Sequence, residues 1–143
     1  MRTPISSVTA AAAAAMLFLS APAPAQQEGT QPPSTVKDVM MTMTIPASDA
    51  IFAAASEPPQ NDEQWAALST RAAVLAESGR LLMSGTRKKD DTTWMERARA
   101  LVDQAEAFLK VAGTKKEAAL EDAGNEVYAT CEACHERYLD PGK

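Results

Sequence analysis

The sequence predicts an all-α fold, an up-down-up-down antiparallel four-helix bundle. Three observations carry this expectation. Apolar residues recur at steps of three and four in four successive stretches, the spacing that lines one face of a helix. Clusters of Pro, Gly, Asn and Asp fall between those stretches and leave only short connections, which make antiparallel neighbours. No segment alternates apolar and polar residues with period two, so no strand is expected.

Before the first stretch stands an export signal. Arg2 gives a positive start, Val8 to Leu19 is apolar or small, and Ala23-Pro24-Ala25 has the small-x-small form of a signal-peptidase site. Residues 1–25 are therefore expected to be removed, leaving 118 of the 143 residues and a periplasmic protein. The apolar run is too short and alanine-rich for a stable membrane anchor. Residues 26–34, rich in Gln, Pro, Gly and Ser, read as a flexible mature N-terminus ahead of one domain over 35–140.

The first helix is expected to be capped by Ser34 or Thr35, with Val36, Met40, Met43, Ala47, Ile51 and Ala54 as its stripe. Pro46 lacks an N–H and crowds the carbonyl four residues back, which predicts a kink or break near Met43 to Ile45, or a new helix start there. Glu57-Pro58-Pro59-Gln60 closes the element. Asn61 or Asp62 caps the second helix, whose stripe is Trp65, Leu68, Ala72, Leu75, Gly79 and Leu82, with Gly85 as its stop. Asp90 or Asp91 caps the third, with the stripe Trp94, Ala98, Leu101, Ala105, Phe108 and Ala112, and Gly113 ends it. Thr114 and Glu117 have the spacing of a capping box for the fourth. Its stripe runs Leu120, Gly124, Val127, Cys131, Cys134 and Tyr138 up to Pro141-Gly142. Gly124 reads either as a tolerated weak spot or as a place where a neighbouring helix or a cofactor comes close. The small residues in every stripe leave space that aliphatic side chains alone would not fill.

The fourth helix carries the chemistry. Cys131-Glu132-Ala133-Cys134-His135 holds both cysteines and the only histidine of the chain. Cys-x-x-Cys-His is the attachment pattern of a c-type haem: the thiols add to the vinyl groups and the imidazole takes an axial position on iron. On a helix, positions i, i+3 and i+4 project from one face, as a single planar macrocycle requires. Three other readings compete. A redox dithiol would sit at a helix N-terminus after a strand, a zinc site would need a fourth ligand, and a Cys131–Cys134 disulfide would bend the helix.

Removing Arg2 with the signal takes the net charge from −5 to −6. Nucleic acid is thereby disfavoured, since its recognition needs clustered Lys and Arg, and the Lys88-Lys89 and Lys115-Lys116 pairs read as solvated turns. An acidic surface instead suits a redox partner with a basic patch. Arg71, Arg97 and Arg99 are cations available to haem propionates, although a solvated helix face accounts for each. A peroxidase lacks a second histidine as distal acid–base group, so no enzyme is expected.

An exported four-helix bundle with this motif in its last helix resembles the class II cytochromes c, the cytochrome c-prime family. Cys134-His135-Glu136-Arg137-Tyr138 is similar to that family's Cys-His-x-x-Tyr ending, and the resemblance covers Val36 to Tyr138. It implies one covalent haem c per chain, thioethers at Cys131 and Cys134, and His135 as fifth iron ligand. One branch of the family adds a first-helix methionine as sixth ligand and carries electrons between periplasmic redox proteins. The other leaves the iron five-coordinate and binds small gases such as nitric oxide or carbon monoxide. Met40, Met41 and Met43 lie in the first helix; Met40 is the expected sixth ligand, with Met43 behind it, and the alternative is that all are flexible core fillers. Members are often antiparallel homodimers through their first two helices.

Overall fold

The computed structural model of the chain describes residues 34–139. The expected signal peptide, residues 26–33 of the N-terminal segment, and Asp140 to the Pro141-Gly142 stop lie outside the described residues. Four long helices follow in order: α1 Val36–Ser56, α2 Asp62–Leu82, α3 Thr93–Thr114 and α4 Leu120–Tyr138. Each packs on its neighbour in sequence, and α4 closes the ring by packing on α1. With connections this short, successive helices run antiparallel, and no strand occurs among the described residues.

α1 starts at a capping box. Thr35 Oγ1 accepts from the Asp38 amide at 3.1 Å, and the Asp38 carboxylate accepts from the Thr35 amide at 2.8 Å. At Pro46 the chain stays helical, and of the two expectations the new α-helical start with Pro46 in its first turn is the one that holds. The chain widens into a π-helical turn over Met40–Thr44, in which the Ile45 amide bonds the Met40 carbonyl five residues back. α-Helix resumes at Ile45 with Pro46 in its first turn, where the missing N–H costs little. The wide turn also changes the phase of the buried face. Val39 and Thr44 are buried ahead of Ala47, Ile51 and Ala54, whereas Val36, Met40 and Met43 are only half-buried. The expected stripe is thus off by one residue on the N-terminal side of the turn, because a period of 3.6 was carried through a turn that holds more residues.

α2 and α3 follow the expected stripes residue for residue: Trp65 to Leu82 and Trp94 to Ala112 are buried at all twelve named positions. Asn61 Oδ1 caps α2 by accepting from Gln64 N–H at 2.9 Å. Three ends differ from expectation. α2 stops at Leu82, before Gly85, which takes a left-handed φ of 60° in the following turn. α3 runs through Gly113 to Thr114, and Lys115 is the left-handed cap at φ 55°, held by an ion pair to Asp62 at 2.8 Å. Thr114 therefore ends α3 instead of capping α4, which begins at Leu120 after a 3-10 turn over Glu117–Ala119.

The buried glycines of α2 and α4 have opposite surroundings. A Cβ at Gly79 would stand 2.7 Å from Val102 Cγ2 and 3.3 Å from the Ala98 carbonyl, so α2 and α3 touch backbone to backbone there. A Cβ at Gly124 would meet nothing within 4 Å, although the residue is buried. Opposite signs follow for the cofactor-free chain. Gly79→Ala should destabilise it by about 1 kcal/mol, overpacking against a stiff valine outweighing the gain in helix propensity. Gly124→Ala should stabilise it by up to about 1 kcal/mol, since the methyl finds room. Urea midpoints that move in the same direction for both would contradict the packing described.

Candidate haem site

The motif lies on the last two turns of α4, a continuous helix from Leu120 to Tyr138, so Cys131, Cys134 and His135 do share one face. Both cysteines are free and half-buried, and Cys131 packs against the core. Burial pushes the Cys131 thiol above its ordinary pKa, against a hydrogen bond involving Thr130. Burial also raises the Cys134 thiol, with the neighbouring Cys131 acting in the same sense and the Arg97 guanidinium of α3 opposing. A redox dithiol needs the reverse, a thiol acidified at a helix N-terminus. His135 is exposed, one turn from the end of α4.

The up-down-up-down order puts the start of α1, the end of α2, the start of α3 and the end of α4 at one end of the bundle. Hydrogen bonds fix this end. Tyr138 of α4 donates its hydroxyl to Asp90 Oδ2 in the α2–α3 connection. The other oxygen of Asp90 accepts from the amides of Thr92 at 3.1 Å and Trp94 at 2.9 Å, so this carboxylate caps α3 from two residues outside Thr92. The Trp94 ring meets Tyr138 edge-on at 5.0 Å, and its Nε1–H donates to the Leu82 carbonyl at 2.7 Å. The end of α2, the start of α3 and the tail of the motif helix are thereby joined.

Of the first-helix methionines, Met41 is 58 % exposed, Met43 is half-buried, and Met40 is the one packed against the core that Cys131 also abuts. Two further sulfurs lie at the same end, Met83 at the end of α2 and Met95 in the first turn of α3, both packed against the core. The residues suit a macrocycle. Two unpaired thiols and an exposed imidazole share a helix face, and two turns earlier the same face borders unfilled interior space at Gly124. That space removes close approach of a helix as the reason for Gly124. Two surface clefts lie elsewhere. One of about 440 Å³ is beside the α1–α2 connection and is lined by Arg71; one of about 310 Å³ lies between α2 and α3. Among the described residues, no group of three or more His, Cys, Asp and Glu side chains is placed to hold a metal ion by itself.

The sequence model of the family described as Cytochrome C' matches residues 36–139, nearly all of the described bundle. The chain belongs to the cytochrome c-prime family. No curated protein and no solved structure matches it. Family membership makes it a c-type cytochrome, with a covalently bound c-type haem implied.

Sequence reasoning missed Asp90 as the partner of Tyr138, because their side chains meet across 48 residues and no local pattern links them. It left Arg97 among three equal cations, whereas the fold sets this one near Cys134; Arg71, midway along α2, lines a cleft beside the α1–α2 connection. Met83 and Met95 went unnoticed because each sits beside a helix end, outside the stripes.

The Tyr138–Asp90 bond sets two pH limits. Asp90 is held below the ordinary carboxylate range, first by Tyr138 and then by the Trp94 amide, so its contribution is complete above the unfolded pKa and is lost as pH falls through the folded one. Tyr138 is raised, by burial and then by Asp90, so its contribution is present below the unfolded phenol value and disappears as pH climbs through the folded one. Ultraviolet titration should show the Tyr138 phenol ionising late, and Asp90→Ala should lower it part of the way toward the ordinary range, burial keeping the remainder. An unchanged titration would dismiss the bond.

Proposed function

We propose that this cytochrome is a periplasmic carrier of single electrons between redox proteins, with one haem c per chain, thioethers at Cys131 and Cys134, and His135 and Met40 as axial ligands. The carrying observation is that Met40 alone of the three first-helix methionines packs against the core that Cys131 abuts, at the end of the bundle where His135 lies. The haem supplies the exchange of one electron between ferric and ferrous iron.

The protein's residues do the rest. His135 would give its imidazole to one side of the iron, and its neighbours Cys131 and Cys134 would hold the macrocycle on the same helix face. A thioether from Met40 would be a soft neutral donor, which would favour the reduced state over a second imidazole and would close the position at which a gas could bind. The half-buried setting of both thiols keeps water from much of that face, limiting the solvent rearrangement that accompanies a change of charge. The net charge of −6 that remains once Arg2 leaves with the signal suits a partner with a basic docking patch.

The five-coordinate reading stays beside it on one finding: the matching family is that of the cytochromes c-prime, whose name attaches to the open, gas-binding branch. Optical spectra of the exported protein, oxidised and reduced, with and without carbon monoxide, separate the two. Sharp reduced bands indifferent to carbon monoxide are expected. A broad high-spin spectrum that shifts with the gas would overturn the carrier. Met40→Ala should convert the first pattern into the second, and an unchanged low-spin spectrum would remove Met40 as ligand and turn attention to Met43, Met83 and Met95.

A further inference from the structure

The structure assigns Arg87, in the α2–α3 connection, the role of a positioning residue that sets how far α1 stands along the motif helix. This rests on the reading that α1 carries the sixth ligand. Arg87 makes four hydrogen bonds from one guanidinium. Nη1 donates to the Ser34 carbonyl at 3.0 Å and to Ser34 Oγ at 3.1 Å, just ahead of α1. Nε donates to the Leu81 carbonyl at 2.6 Å, and Nη2 to Ser84 Oγ at 2.8 Å. The planar fork thus ties the start of α1 to the end of α2 in a fixed geometry.

Three residues later, Asp90 ties the other partner. Its bonds to Tyr138 and to the Trp94 amide hold the end of α4 to the start of α3. One short connection therefore grips both the first and the last helix of the ring, which nothing covalent joins. Met40 stands six residues beyond Ser34, and His135 three residues before Tyr138. At about 1.5 Å of rise per residue, both axial positions fall within two turns of the connection. The apolar packing between the helices is non-directional and resists sliding weakly, whereas hydrogen bonds at fixed angles resist it strongly. Ligation tolerates a displacement of only about 0.5 Å, so the tie at Ser34 bears on the sixth position. The fifth is secured separately, since His135 shares a helix with both attachment cysteines.

The test is the rate at which the reduced holoprotein binds carbon monoxide, compared among wild type, Arg87→Ala and Gly79→Ala. Gly79→Ala weakens the bundle without touching the connection and controls for lost stability. Arg87→Ala should speed carbon monoxide binding about tenfold or more, while Gly79→Ala, which lowers the melting temperature through the α2–α3 contact, should leave it near wild type. An unchanged rate in Arg87→Ala, or an equal acceleration in both, would overturn the assignment. Where Arg87→Ala yields no folded holoprotein, Arg87→Lys takes its place, because one ammonium cannot reach Ser34, Leu81 and Ser84 together. The wild-type spectrum separates the two readings: a high-spin spectrum overturns the sixth ligand and this assignment with it, whereas an unchanged rate in a low-spin protein overturns the assignment alone.

Discussion

α1 and α4 are neighbours without a connection, and keeping them side by side is the constraint on which the functional end of this bundle depends. Their shared core includes fully buried Ala47 and Ile51 on one side and Leu120 and Val127 on the other, with Phe52 and Tyr128 meeting edge-on at 6.0 Å. Apolar burial of this kind supplies most of the attraction, at roughly 25 cal/mol for each Å² removed from water. It says little about depth. Depth comes from polar atoms with fixed directions, and these are concentrated where the α2–α3 connection touches Ser34 and Tyr138.

The π turn of α1 bears on the same end. Pro46 leaves one carbonyl without its usual donor, and the helix widens over Met40–Thr44 just ahead of it. Thr42 and Thr44 help to settle the loosened backbone through hydroxyl bonds to Asp38 and Val39 carbonyls at 2.6 and 3.5 Å. The outcome for the sulfurs is a division of labour by angle. Met41 faces water, while Met40 rests on the core beside buried Val39. A straight helix drawn through these residues would have placed Met40 and Met43 on one inward line, a different arrangement from the one the wide turn produces.

How legible each part was in the sequence follows from the range of the interaction that fixes it. The stripes of α2 and α3 were readable to the residue because nothing interrupts a period of 3.6 within them. The motif was readable because attachment chemistry demands its spacing. The phase of α1 was not, since a π turn inserts a residue that no composition rule announces. The start of α4 was misread for another reason. Thr114 and Glu117 have the local signature of a cap, but α3 continues past Gly113 and Lys115 takes up the left-handed position with Asp62, 53 residues away, as its partner. Distant pairings of this kind, Arg87 with Ser34 and Tyr138 with Asp90 among them, leave no trace in periodicity.

The absence of a connection between α1 and α4 also shapes the route to the native state. The α2–α3 hairpin needs only a short loop to close, and its backbone contact at Gly79 can form early at small entropic expense. Phe52 and Tyr128 are 76 positions apart, so the ring closes only after three helices are in place. Substitutions at Gly79 would be felt in the folding rate and those at Tyr128 in the unfolding rate, a contrast that φ-values read directly. Until α1 closes on α4, the face of α4 that carries both thiols stays within reach.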